Sequence, residues 1–135
     1  MKLWERVIEG RLKTSVEISE NQFGFRPARS TIEAIHLLHS FMECYRDRKM
    51  DPHMVFIDLE KAYDRVQRDV LWKCLEKKGM PIEYTRIIRD MCEGVRTKVR
   101  TVLGDTANFF IDIGLHQGSA LSPFLFTIVM DELTK

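Results

Sequence analysis

The sequence has no apolar run approaching the roughly 18 residues that a membrane span requires, and its N-terminus lacks the apolar core of a secretory leader. No membrane partner is expected, and the expected location is intracellular, cytoplasmic or nuclear. Cysteine is scarce: Cys44, Cys74 and Cys92 are odd in number, widely spaced and form no CxxC pair. That argues against a disulfide framework and against a cysteine-based zinc site, and leaves reduced, buried thiols as the expected state. An excess of one charge is lacking too. Lys and Arg number 21 and Asp and Glu 20, net +1, so nucleic-acid binding would have to come from a local basic cluster. Internal repeats, linkers and low-complexity segments are missing. What is present is 135 residues, 44% hydrophobic and 30% charged, which suits one soluble globular domain or a piece of a larger one.

The chain is organised around MVFIDLEKAYDRV, Met54 to Val66. Met54-Val55-Phe56-Ile57 reads as a strand buried on both faces. It ends on Asp58, where a rigid strand would deliver a carboxylate to a cleft. A divalent cation there would offset the cost of desolvating the charge. An Asp at that point also suits a helix N-cap or a turn, and the pattern alone leaves both readings open. Tyr63 and Asp64 follow on a helical or irregular segment.

Around this stretch the periodicity is mostly helical. Leu3, Trp4, Val7, Ile8 and Leu12 form one face of an amphipathic helix from Met1 to about Thr14, with Lys2, Glu5, Arg6, Glu9 and Arg11 opposite. ENQFGFRPARS, Glu20 to Ser30, is a turn, since Gly24 and Pro27 do not belong in a helix interior. Its Arg26 and Arg29, beside Phe23 and Phe25, either grip a phosphate backbone or are solvated next to core aromatics. Ser30-Thr31-Ile32-Glu33 is a capping box opening a long helix, with Ile32, Ile35, Leu38, Phe41, Met42 and Tyr45 as its buried stripe. His36 and His39 lie one turn apart but have no third ligand, so they read as surface residues. Asp69–Lys78 is a helix closed by Gly79, and Pro81 opens another that stops at Gly94. VRTKVRTVL, from Val95 to Leu103, alternates as a strand with Arg96, Lys98 and Arg100 on one face. A turn at Gly104-Asp105 returns the chain through Asn108–Ile113 as a hairpin. GLHQGSALS, Gly114 to Ser122, is a polar loop leading to a last helix, Pro123–Leu133, whose apolar girdle is wide enough to belong in a core. Both chain ends are abrupt, which suggests a piece of a longer polypeptide.

Three of these stretches resemble, in order and spacing, the reverse transcriptases of non-LTR retrotransposons, the plant lineages especially. QFGFRPARSTIEAI is similar to their fingers-region block, FIDLEKAYDRV to the palm motif called A, and GLHQGSALSPFLFTIVMDEL to motif B. The resemblance implies a fingers-like part, about residues 1–50, and a palm-like part, about 51–135, of an RNA-directed DNA polymerase. Asp58 would be one of the catalytic carboxylates binding Mg2+, with the Ile57 and Leu59 carbonyls beside it. Tyr63 would lie under the incoming sugar and exclude a 2′-hydroxyl. Gln117, Gly118 and Ser119 would border the nucleotide, and Arg26 and Arg29 would contact template or phosphate. RNA template, DNA primer and deoxynucleotides are the partners so implied. Asp64 would be structural, for example as a helix cap.

The sequence departs from that family in one respect that bears on activity. The family's aromatic-x-Asp-Asp motif, which supplies the remaining carboxylates, does not occur, and no two aspartates are adjacent anywhere. A two-metal site with one carboxylate cannot position its ions, so this chain alone is not expected to polymerise DNA. A non-catalytic nucleic-acid-binding remnant is the alternative. The expected fold class is α+β: a small antiparallel sheet carrying Asp58, packed by the helices that start near Ile32, Val70, Ile82 and Phe124. Truncation there would leave a bare sheet edge and an exposed apolar helix face, and marginal solubility is expected.

Overall fold

The computed structural model describes residues 2–26 and 28–135. Met1 and Pro27, invoked above as a helix start and a helix breaker, lie outside the described residues. The elements are α1 (Lys2–Ser15), α2 (Thr31–Asp47), α3 (Arg68–Lys77), α4 (Ile82–Cys92), β1 (Arg96–Thr97), β2 (Arg100–Thr101), β3 (Gly104–Asp105), β4 (Phe109–Phe110) and α5 (Ser122–Leu133). The class is α+β, as the alternation of helical and strand periodicity indicates.

Four helices make the core. Ile8 and Leu12 of α1, Leu71 and Leu75 of α3, Ile88 of α4, and Phe124, Leu125, Ile128 and Val129 of α5 are buried in one cluster. Each such side chain contributes about 1.5–3 kcal/mol relative to an exposed one. The wide apolar girdle of α5 is at the centre, as its composition requires. Asp131, fully buried on α5, is the exception to that girdle. Its carboxylate accepts hydrogen bonds from the Ser19 amide (3.0 Å) and hydroxyl and pairs with the ammonium of Lys78, which also donates to the Glu17 carbonyl at 2.9 Å. Burial pushes this carboxyl up, but the bonds from Lys78 and Ser19 outweigh it and hold the pKa below the usual aspartate value. The network ties α5 to the segment that follows α1 and to the end of α3.

The other two predicted core elements are corrected. Met54–Ile57 is not a buried strand: residues 51–59 are irregular, and Val55 and Ile57 are 85% and 82% exposed. A lone strand has no stability without a ladder partner, and among the described residues none pairs with this one. The only sheets among the described residues are therefore the hairpin's, and they do not carry Asp58. No residue of α2 is buried either, so the predicted stripe of Ile32, Ile35, Leu38, Phe41, Met42 and Tyr45 is not covered by another element among the described residues. Local terms hold α2. The Ser30 hydroxyl accepts from the Glu33 amide at 3.2 Å, and Phe41 and Tyr45 pair one turn apart at 4.5 Å.

The hairpin forms, with its turn two residues earlier than predicted. Thr101 pairs with Gly104, so Val102-Leu103 make the turn, and Gly104 (φ +126°) sits in the ladder. Between the pairs Thr97↔Phe109 and Arg100↔Asp105, two residues on one strand face three on the other, which is a β-bulge.

Candidate functional site

The segment that follows Asp58 is a tight turn, closed by bonds from the Asp64 and Arg65 amides to the Lys61 carbonyl at 3.0 and 3.1 Å. It delivers Tyr63 onto α5, where its ring stacks on Phe126 at 4.7 Å and 22°. Burial pushes the Tyr63 phenol up, so it stays neutral across the physiological range. The turn is joined to the polar loop before α5 by three contacts. The Leu115 amide donates to the Tyr63 carbonyl at 2.8 Å, and the Gly114 amide to the Val66 carbonyl at 2.9 Å. The Gln117 side-chain amide donates to Asp64 Oδ1 at 2.9 Å.

Gly114 makes this joint possible. Its φ is +90°, and a Cβ there would lie 2.8 Å from the Asp64 carbonyl oxygen and 3.0 Å from Tyr63 O and Asp64 Cα. Only a residue without a side chain lets the two segments approach so closely. Gly118 is different. Its φ is +89°, but a Cβ would meet nothing within 4 Å, so backbone conformation alone favours glycine there.

Ser119 continues the loop. Its hydroxyl donates to Glu5 Oε2 at 2.9 Å and accepts from the Leu121 amide at 3.2 Å, and the Ala120 amide also reaches Glu5 Oε2 at 2.9 Å. Tyr63, Gln117, Gly118 and Ser119 are thus gathered on two adjoining segments. Asp58 stands apart, on the rim of a cavity of about 550 Å3 floored by Val66, Val70, Phe126 and Val129. Ile57 and Leu59 beside it are exposed. Arg26 donates to the Ser19 carbonyl at 2.8 Å, while Arg29 lies over the Phe23 ring at 5.2 Å and pairs with Glu33. Among the described residues, no hydrogen bond or ion pair joins Asp58, Arg26 or Arg29 to the Gly114–Ser119 loop.

A family model described as reverse transcriptase (RNA-dependent DNA polymerase) matches residues 1–135. The chain belongs to the reverse transcriptase family. It is 34% identical over 98% of its length to a probable RNA-directed DNA polymerase from transposon BS of Drosophila melanogaster, covering 15% of that protein. It is 31% identical over 94% of its length to an RNA-directed DNA polymerase from mobile element jockey of Drosophila funebris, covering 14%. A Pol polyprotein from the retrotransposable element R2 of Popillia japonica is 29% identical over 98% of the chain, which covers 19% of it. This reverse transcriptase chain therefore spans less than a fifth of the length of these relatives.

The donor set does not fit a pair of magnesium ions. Among the described residues no three His, Cys, Asp or Glu side chains converge, Glu60 is the one other carboxylate lining the cavity beside Asp58, and Asp64 is engaged by Gln117. Asp64 is structural in this sense, but it holds Gln117 rather than capping α3, whose N-cap is Gln67. Sequence reasoning also missed two residues of this candidate site. Phe126 belongs to the apolar girdle predicted for the last helix, and its 2-residue spacing from Phe124 gives no hint of Tyr63. Glu5 was placed on the outer face of α1, yet it is 7% exposed. Its spacing to Ile8 and Leu12, three and seven residues on, was the available signal.

Proposed function

We propose that this chain forms the nucleotide-facing part of an RNA-directed DNA polymerase, with a fingers-like portion up to about residue 50 and a palm-like portion from about 51 to 135. The observation that carries this reading is the joint between the Tyr63–Val66 turn and the Gly114–Gln117 loop. It supports a pocket in which Tyr63, rigid against Phe126, lies under the sugar of a deoxynucleotide, and Gln117, aligned by Asp64, offers it hydrogen-bonding groups. A tyrosine edge that fills the space of a 2′-hydroxyl discriminates by collision, which needs the ring to be immobile. Gly118 and Ser119 border the same space, and Arg26 and Arg29 face template or phosphate from the fingers-like side.

Asp58 is proposed as one carboxylate of the polymerase centre, to be completed by acidic residues that this sequence does not contain. RNA template and DNA primer are the proposed partners of the completed polymerase, and this chain by itself is expected to leave a primer unextended. Equilibrium binding of a deoxynucleoside triphosphate and its ribonucleotide counterpart tests the reading. The expected result is preference for the deoxy form, lost in Tyr63→Ala. Equal binding of both by the unsubstituted chain would overturn it.

A second reading, a non-catalytic nucleic-acid binder, is favoured by the projecting hairpin. Arg96 lies over the Phe110 ring at 4.6 Å, and Lys98 and Arg100 line the same element beside Asp105. Binding of single-stranded RNA that weakens steeply with salt and is unaffected by Asp58→Asn would support that reading.

A further inference from the structure

We propose that Glu5 is a positioning residue for the Gln117–Ser119 loop, acting from the opposite end of the chain. The inference rests on the assignment of that loop to the nucleotide pocket. Glu5 is on the face of α1 that carries Ile8 and Leu12 into the core, and this places a carboxylate under the start of α5. Burying a carboxylate is costly unless its oxygens are hydrogen-bonded. Among the described residues Glu5 forms no ion pair; Oε2 instead accepts the Ser119 hydroxyl and the Ala120 amide, each at 2.9 Å. The Ser119 hydroxyl in turn accepts from the Leu121 amide at 3.2 Å, so one carboxylate oxygen orders three successive residues.

The start of α5 needs this help. Its N-cap, Leu121, has no side chain able to accept a hydrogen bond, and the first-turn amides of a helix want an acceptor or a negative charge. Glu5 brings the negative charge from another helix and accepts from the Ala120 amide, one residue ahead of that N-cap. Packing does not fix the loop on this side. Gly118 has open space around it, and a cavity of about 180 Å3 lies between Glu5, Ile88, Ser119 and Leu125. With Asp64 holding Gln117 and Glu5 holding Ser119 and Ala120, the loop is suspended between two carboxylates 59 residues apart in sequence. Hydrogen bonds rather than contacts set its pose.

Amide hydrogen exchange on the 135-residue chain, with Glu5→Ala, Glu5→Gln and Ser119→Ala, tests the assignment. In Glu5→Ala, exchange at Ser119–Leu121 should speed up by about tenfold, the effect of one lost charge-assisted hydrogen bond, while amides of α3 and of α5 beyond its first turn keep their rates. Glu5→Gln retains an acceptor oxygen and should restore most of the protection. Affinity for a deoxynucleoside triphosphate should fall in Glu5→Ala and recover in Glu5→Gln. Unchanged loop exchange in folded Glu5→Ala, or loop and core rates rising together, would overturn the assignment. If Glu5→Ala does not fold, Ser119→Ala takes its place: the Ala120 amide, still bonded to Glu5, should keep its protection while Leu121 exchanges faster, and loss of protection at Ala120 would overturn the assignment. If the exchange pattern holds but the unsubstituted chain binds no nucleotide, Glu5 still positions the loop, and it is the nucleotide reading that fails.

Discussion

Replacing Gly114 by alanine isolates the joint on which the site depends. The new Cβ would be placed 2.8 Å from the Asp64 carbonyl oxygen and 3.0 Å from that of Tyr63, both backbone atoms that cannot swing aside. The backbone at φ +90° adds strain of about 1–2 kcal/mol for a residue with a side chain. Relief requires the segments to part, which costs the Gly114–Val66 and Leu115–Tyr63 hydrogen bonds, about 1 kcal/mol each. The total is about 3–4 kcal/mol, a large share of the roughly 5–15 kcal/mol that stabilises a domain. Gly118→Ala is the control. Its φ is nearly the same, but nothing stands within 4 Å, so strain alone, about 1–2 kcal/mol, is expected. Urea unfolding followed by circular dichroism measures both. If Gly114→Ala is no more destabilising than Gly118→Ala, the two segments are not held together as described.

Two further substitutions probe the core and the outlying helix. Asp131 has a depressed pKa in the folded chain, so its contribution to stability is present above the ordinary aspartate value of 3.8 and is lost as pH falls through the lower folded value. Urea midpoints measured from pH 7 to pH 2 should therefore drop at the acid end. Asp131→Asn should flatten that limb while costing at most about 3–5 kcal/mol at neutral pH, because Lys78 loses its nearest buried partner and keeps Glu132 at 3.9 Å; an unaltered acid limb would contradict the ion pair. Ser30→Ala removes the cap of α2, worth about 1 kcal/mol. Since α2 buries nothing, the loss should appear as local fraying, with less helical signal but an unchanged unfolding midpoint by tryptophan fluorescence, as neither Trp4 nor Trp72 is on α2. A shifted midpoint would mean that α2 is packed.

The helices were legible because their determinants are local. The 3.6-residue spacing in α3, α4 and α5 and the positive φ at Gly79 and Gly94 match what the apolar pattern and the two glycines implied. Met54–Ile57 was not, because a strand is completed by a partner from elsewhere in the chain, and apolar, β-branched composition says nothing about whether that partner is present. The α2 stripe failed for the same reason: periodicity identifies the face that would be buried, not what covers it. In the site, Tyr63 and Gln117 were recognisable as residue types in familiar stretches. Their joint was not, since it depends on a backbone approach at Gly114, a position that reads from sequence as one more residue of a polar loop. Asp131 and Glu5 show the remaining limit. A lone carboxylate among apolar neighbours declares itself buried only when the partner amide, hydroxyl or ammonium is placed beside it.

The most direct test of the central claim is a chimera in which residues 1–135 replace the matching segment of the transposon BS polymerase, assayed for extension of a DNA primer on an RNA template. The expected result is extension by the chimera, none by the 135-residue chain alone, and loss of extension in the Asp58→Asn chimera. Extension that persists in the Asp58→Asn chimera, or by the isolated chain, would contradict it.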